Sequence, residues 1–297
     1  MNKYITVYIP THNRPTFLER ALKSLTMQTY KHFQVGVCDD GSTSENSKKI
    51  KEVIDSYKPR FSDLFFIRND KPLGACAARN KIINRADGEY ITGLDDDDEF
   101  TKERLQLFVE NWTSDYSYLS SGHLTYDGVH YMKSPICLGQ ETTLEKILYK
   151  NVVGNQVFTE KRNFKKLGGF DESMPAWQDY DMWVRMTSQC GTGFKINSHT
   201  YILNIAHELQ RITTSGKASL GAKLFIDKHK ELLSKSNIHS LNLQDLINRS
   251  ALLDWDFVKT NFDRDNAIPI LKYYINRHMP ALSIYIKKFL GRELGNQ

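Results

Sequence analysis

The chain has 297 residues, of which 40% are hydrophobic and 25% charged, enough for one sizeable core and an appendage. No apolar run reaches the ~18 residues of a bilayer span, and MNKYITVYIP has neither the long apolar stretch nor the cleavage site of a signal peptide. Cys38, Cys76, Cys137 and Cys190 are scattered without a CxxC pair, which argues against a disulfide frame or zinc site and for reduced thiols in the cytoplasm. Residues 216–297 hold 13 Lys/Arg and 8 Asp/Glu, so the whole net charge of +5 belongs to this stretch. An anionic surface is therefore sought there.

ITVYIP (5–10) predicts a short strand. After THNRP, with Asn13 and Pro15 at a helix start, Phe17, Leu18, Ala21, Leu22 and Leu25 share one helical face. FQVGVCDDGS (33–42) predicts a second strand running into turn residues, and LFFIRN (64–69) a third. AARNKIINRA (77–86) predicts a helix introduced by Leu73-Gly74, and YITGLD (90–95) a fourth strand. Strands alternating with helices at this spacing predict an α/β fold around a mostly parallel sheet. Beyond residue 100 the pattern is mixed: helices over 102–112 and 142–151, a strand over 116–122, and a loop feeding a helix over 168–189. From about 216 onward only helical signals remain. The expected division is a catalytic domain over 1–215 and a helical C-terminal extension over 216–297.

In parallel sheets ligands bind beyond the carboxyl ends of the strands, and the acidic clusters sit there. GLDDDDEF carries Asp95, Asp96, Asp97 and Asp98. A calcium loop needs Gly at its sixth position; counting from Asp95 that position is Phe100. A solvated turn and a divalent cation site remain. In extended geometry Asp95 and Asp97 project to one side, so both can face one Mg²⁺ or Mn²⁺. Asp39 and Asp40 could bind a pyrimidine or ribose, or simply form an Asx-type turn. Thr11, Asn13 and Arg14 could contact phosphate or base, and Arg79 could reach a diphosphate or pair with a surface acid. Together these groups describe a crevice for a nucleoside diphosphate and a metal.

IPTHNR, CDDGST, PLGACAARN, LDDDDE, GGFDE and QDYDMWVR occur in the order and approximate spacing of family 2 glycosyltransferases, and the chain resembles that family over about residues 3–215. The resemblance implies the GT-A fold, Rossmann-like with helices flanking its central sheet. It also implies that Asp39 contacts uracil or ribose, Arg14 and Arg79 contact base or phosphate, Asp97 ligates the metal, and Asp95 meets ribose or a metal-bound water. Asp179 of QDYDMW becomes the general base, although Gln178 stands where the family usually has Glu. On a helix Asp179, Trp183 and Met186 share a face, with Asp181 about 160° away. Trp177, Trp183 and Asp171 of GGFDE are the expected acceptor or sugar contacts. His207, near Arg211, is a candidate for the metal or diphosphate.

The implied reaction transfers a hexose, glucose or galactose, from a UDP-sugar with inversion to a β-linkage. The acceptor is a hydroxyl of a GlcNAc or GalNAc on a polyprenyl diphosphate, as in bacterial O-antigen and surface-polysaccharide enzymes. Two other readings are a sugar nucleotidyltransferase, which would normally show a Gly-rich loop that THNRPTF lacks, and an inactive sugar-binding module. PALSIYIKKFLGR (280–292) has an amphipathic pattern that suits either a bilayer surface or packing on the domain. The expected location is the cytoplasmic face of the inner membrane, with no nucleic-acid partner.

Overall fold

β1 (Ile5–Thr11) is buried at every position, as expected of a strand covered on both faces. It pairs in parallel with β2 (Phe33–Asp39) on one side and β4 (Tyr90–Gly93) on the other, and β3 (Leu64–Arg68) extends the parallel set beyond β2. The structure is a computed structural model that describes residues 3–134, 138–206, 216–279 and 281–282. Beyond β4 the sheet becomes mixed. Its order is β3-β2-β1-β4-β9-β6-β10-β5, where β5 is Glu99–Phe100, β6 Leu119–Tyr126, β9 Phe158–Glu160 and β10 Gly193–Asn204. Two short strands, β7 (Tyr131–Lys133) and β8 (Gln140–Thr142), pair with β6 and β10.

Helices α1 (Pro15–Thr26), α2 (Ser44–Tyr57) and α3 (Ala75–Arg85) follow the first three strands in turn. Leu18, Ala21, Leu22 and Leu25 of α1 pack into one core with Ile5, Val7 and Ile9 of β1 and with Ile50, Ile54 and Tyr57 of α2. α2 carries little sequence signal, because SENSKKIKEVIDSY is polar and only its 50–54–57 stripe is buried. Thr43 accepts a hydrogen bond from Asn46 N and starts that helix. α4 (Arg104–Asn111), α5 (Leu144–Tyr149), α6 (Lys161–Leu167) and α7 (Gln178–Cys190) complete the elements up to β10.

The described residues divide into two compact units. The sheet and most of the helices above form the first. Described residues from Gly216 onward, together with Leu148–Lys150 and Met174–Trp177, form the second. It is built from α8 (Gly216–His229), α9 (Lys235–Asn248), α10 (Trp255–Asn261) and α11 (Ala267–His278), with Leu243, Leu246, Leu253 and Ile270 as a small core. Ser234 and Asn237 start α9 with a reciprocal capping box. No helix among the described residues is long and apolar enough to cross a membrane.

Candidate active site

Four consecutive carboxylates are stable only if the surrounding structure compensates them. Asp98 N donates to Asp95 O at 3.1 Å, so Asp95–Asp98 is a turn between β4 and β5 and not extended chain. This corrects the alternation expected along the stretch. Asp96 and Asp97 share Arg14 Nη1 at 3.1 and 3.2 Å, while Asp95 is held by Arg79 Nη2 at 2.8 Å. Arg20 of α1 donates to the Asp97 carbonyl and pairs with Glu99 at 3.3 Å. Three arginines therefore surround the acidic turn.

The four carboxylates have different environments. Asp96 is buried, accepts from Thr11 Oγ1 at 2.8 Å, and is pushed up to about 7 by burial, against Arg14 and with Asp97 adding. Asp98 is buried and accepts from Asn204 N at 2.9 Å; burial, with Asp97 and Asp95 adding, raises it well above the usual carboxylate range. Asp95 and Asp97 keep side chains 21% and 24% exposed, so these two can meet a ligand. Asp95 is positioned further by Gln156 Nε2 at 3.2 Å and by Tyr201, whose hydroxyl accepts from Asp95 N at 3.3 Å. Gln156 itself accepts from Tyr8 at 2.8 Å, and a Cβ on Gly93 would lie 2.0 Å from Gln156 Oε1. Only glycine fits at that position.

Among the described residues no group of three or more His, Cys, Asp or Glu side chains could hold a metal ion. A hard cation that binds a nucleoside diphosphate needs only one or two carboxylates, its other ligands being phosphate oxygens and water. Asp97 and Asp95, partly exposed on one turn, fit that requirement.

Arg79 lies on α3 with its side chain only 6% exposed. One guanidinium nitrogen meets Asp95 and the other meets Asp179 Oδ1 at 3.1 Å, in an ion pair whose angle is not that of a hydrogen bond. Gln178 Oε1 lies 3.5 Å from the same nitrogen. Burial opposes the Arg79 charge, but Asp179 and Asp95 more than offset it and raise its pKa. Arg79, expected to meet phosphate or base, here joins two site carboxylates. Asp179, a quarter exposed, is pushed up to about 6 by burial, against Arg79 and with Asp95 adding. Asp181 has no exposure and pairs with Arg185 at 2.9 Å, so the two acids of α7 serve different arginines.

Several residues expected to meet a ligand also have partners within the fold. Asp39 has no exposure, and its oxygens accept from Ser42 N at 3.0 Å and Ser47 Oγ at 2.8 Å, which ties the turn after β2 to α2. Asp40 accepts from Asn69, Leu73 N and Gly74 N at 2.7 to 2.9 Å and pins the loop before α3. Gly74 enters that helix at φ 96°, a conformation glycine adopts without strain. Thr11 is spent on Asp96. Asn13, at φ 58°, accepts from Thr43 N at 2.9 Å and joins the loop after β1 to the loop after β2. Trp183 has no exposure, donates to Gly154 O at 3.0 Å and packs on Phe164 and Phe170, so it is core and not a sugar platform. In the second unit Trp177 packs its ring on Phe225 at 5.3 Å. Asp171 accepts from Ser173 N at 2.9 Å within its own loop. His207 and Arg211, and residues 280 and 283–292 of the expected tail helix, lie outside the described residues.

Residues without a motif complete the site: Arg20, Gln156, Tyr201 and Asn204. No local pattern announces them, because each comes from an element brought to the turn only by the sheet order. Arg104 is a further case. It is buried without a carboxylate, donates to Ser121 and Thr200 at 2.9 and 2.8 Å, and lies among the rings of Phe100, Phe108 and Tyr201. Burial lowers its pKa to about 9.

Residues 6–160 match the family described as Glycosyl transferase family 2. The chain is 35% identical over 243 residues to the putative colanic acid biosynthesis glycosyl transferase WcaA of Escherichia coli K12, covering 80% of this chain and 85% of that one. It is 30% identical over 115 residues to the GalNAc(5)-diNAcBac-PP-undecaprenol beta-1,3-glucosyltransferase of Campylobacter jejuni, covering 39% of this chain and 36% of that one. Among solved structures, Staphylococcus aureus TarS 1–349 with UDP-GlcNAc superposes at a TM-score of 0.59 with 18% identity over 93% of this chain and 73% of that one. The mannosyltransferase PcManGT of Pyrobaculum calidifontis, with GDP-Man and Mn²⁺, gives 0.63 with 14% identity, covering 97% and 88%. The fold is GT-A, and the chain belongs to glycosyltransferase family 2.

Proposed function

We propose that the protein transfers a hexose, glucose or galactose, from a UDP-sugar to a hydroxyl of a polyprenyl-diphosphate-linked sugar during surface-polysaccharide synthesis. One observation carries this reading: Arg79 holds Asp95 of the acidic turn and Asp179 of α7 within 2.8 and 3.1 Å of one guanidinium. A donor-side carboxylate and a proton acceptor thereby share one site. Support for the chemistry of the partners comes from TarS with UDP-GlcNAc and from the Campylobacter enzyme named for an undecaprenyl-linked substrate.

In this reading the acceptor hydroxyl attacks the anomeric carbon while Asp179 takes its proton, and the bond to the diphosphate oxygen breaks in the same displacement. One displacement inverts the centre, so an α-linked donor yields a β-linkage. Asp179 remains ionised near neutral pH because Arg79 offsets much of the effect of burial. Mn²⁺ or Mg²⁺ held by Asp97 and Asp95 would neutralise charge on the departing diphosphate. Asp96 and Asp98 hold the turn in shape. Work on a lipid-borne acceptor would place the protein at the cytoplasmic face of the inner membrane.

The test is mass analysis of products from a panel of UDP-sugars with GlcNAc- and GalNAc-diphosphate-polyprenol. A product one hexose heavier, with UDP released, is expected. Pyrophosphate released from a nucleoside triphosphate and a sugar phosphate would instead establish a nucleotidyltransferase. Donor binding without turnover on any acceptor would leave a sugar-binding module.

A further inference from the structure

We infer that the outward face of α11 is a docking surface for an anionic lipid bilayer. It deepens the reading above, which requires an acceptor held in a membrane, but its physical basis is separate. Ile270 of α11 is buried in the small core, and Tyr273 packs against that core with its hydroxyl on Ala251 O at 2.7 Å. A second apolar stripe points outward. Ile268 is 78% and Leu271 58% exposed, with half-buried Ile275 following at the helical spacing. Met279 and Leu282, beyond the helix end, are 46% and 38% exposed.

Charge selects the occupant. Along the described face, residues 266–282 contain no Asp or Glu but include the bases Lys272 and Arg277. Exposed Lys272, beside Leu271, can keep its ammonium at the headgroups while its stem lies on the apolar layer. A second copy of the chain placed on this face by a two-fold axis would set the same bases against each other. Residues 283–297 carry three bases and one acid, so they too are the wrong sign to neutralise it. An anionic bilayer supplies both an apolar layer and opposite charge.

The experiment uses the full chain and sedimentation with vesicles of phosphatidylcholine, alone or with about a third phosphatidylglycerol. The protein is expected to pellet with the anionic vesicles and to be released by salt, since the basic residues act through a screened field. The double variant Ile268→Asp/Leu271→Asp replaces exposed side chains and should bind at least about tenfold more weakly, with an unchanged circular dichroism spectrum and unchanged UDP-sugar hydrolysis. Lys272→Glu should weaken binding mainly at low salt. A wild-type chain that stays in the supernatant overturns the inference, as does a double variant that binds as wild type. So does a variant that alters only the oligomeric state by light scattering. Vesicle binding as expected, but no product from any UDP-sugar, would sink the proposed function and leave this surface standing. Transfer to a short soluble acceptor with no vesicle binding would do the reverse.

Discussion

Replacing Arg79 with Gln removes the one cation that Asp95 and Asp179 share. Asp179 now titrates at about 6, with Arg79 3.1 Å away pulling it down against burial. An opposite charge at this range typically lowers a carboxyl's pKa by roughly 1 to 3, so the variant's Asp179 should titrate near 8. At pH 7 the wild-type base is about nine-tenths ionised and the variant's about one-tenth, which predicts about tenfold slower transfer. The deficit should shrink as pH rises and vanish near pH 9. Stability should fall by ~3 kcal/mol, the lower end for breaking a buried ion pair, because the stranded carboxylates are partly exposed. Initial rates from pH 5.5 to 9.5 and denaturant unfolding measure both effects. Arg79→Lys should keep the acid limb near its wild-type position. A variant with lower rates but an unmoved acid limb would refute the tuning of Asp179 by Arg79.

Asp179→Asn should cut turnover by at least about 100-fold with donor binding by calorimetry near normal, and wild-type turnover would remove Asp179 from the mechanism. Asp181→Ala, by contrast, should act through folding and cost ~3 kcal/mol, because it strands Arg185 in a buried pair. Asp97→Ala should abolish both transfer and its response to added Mn²⁺, whereas Asp96→Asn should retain that response; the opposite pattern would reassign the metal ligand. Asp96 and Asp98 titrate above the unfolded carboxylate value, so the native state binds more protons between about pH 4 and 7. Stability should therefore rise as pH falls through 7, and Asp96→Asn should flatten that slope by up to about 1.4 kcal/mol per pH unit, measured by urea unfolding.

The parts of this fold that are local in sequence were legible in it. β1 to β4, α1 and α3 follow from apolar runs and helical faces of a few residues, and the acidic turn follows from four adjacent letters. α2 was missed because its buried stripe is only Ile50, Ile54 and Tyr57 in a charged segment. β5, β7, β8 and β9 are two or three residues long and carry no detectable period. β10 was missed for another reason: its burial alternates irregularly, and its register shifts between Lys195 and His199 and again before Tyr201.

That acids crowd this turn was likewise visible, but which partners hold each of them was not. The residue pattern by itself determined that carboxylates collect at the carboxyl ends of strands, and that ordered motifs place the chain among family 2 glycosyltransferases. Tertiary structure decided which carboxylates remain available. Asp39, Asp40 and Asp96 look equivalent to Asp95 and Asp97 in a string of letters, yet they are enclosed by backbone donors, Thr11 and the α3 loop. Trp183 shares a helical face with Asp179 on paper, but α6 and the GGF loop cover it. The physical reason is that a side chain's function depends on what desolvates and neutralises it. For Asp95 and Asp179 that group is Arg79, which is 16 residues from one and a hundred from the other.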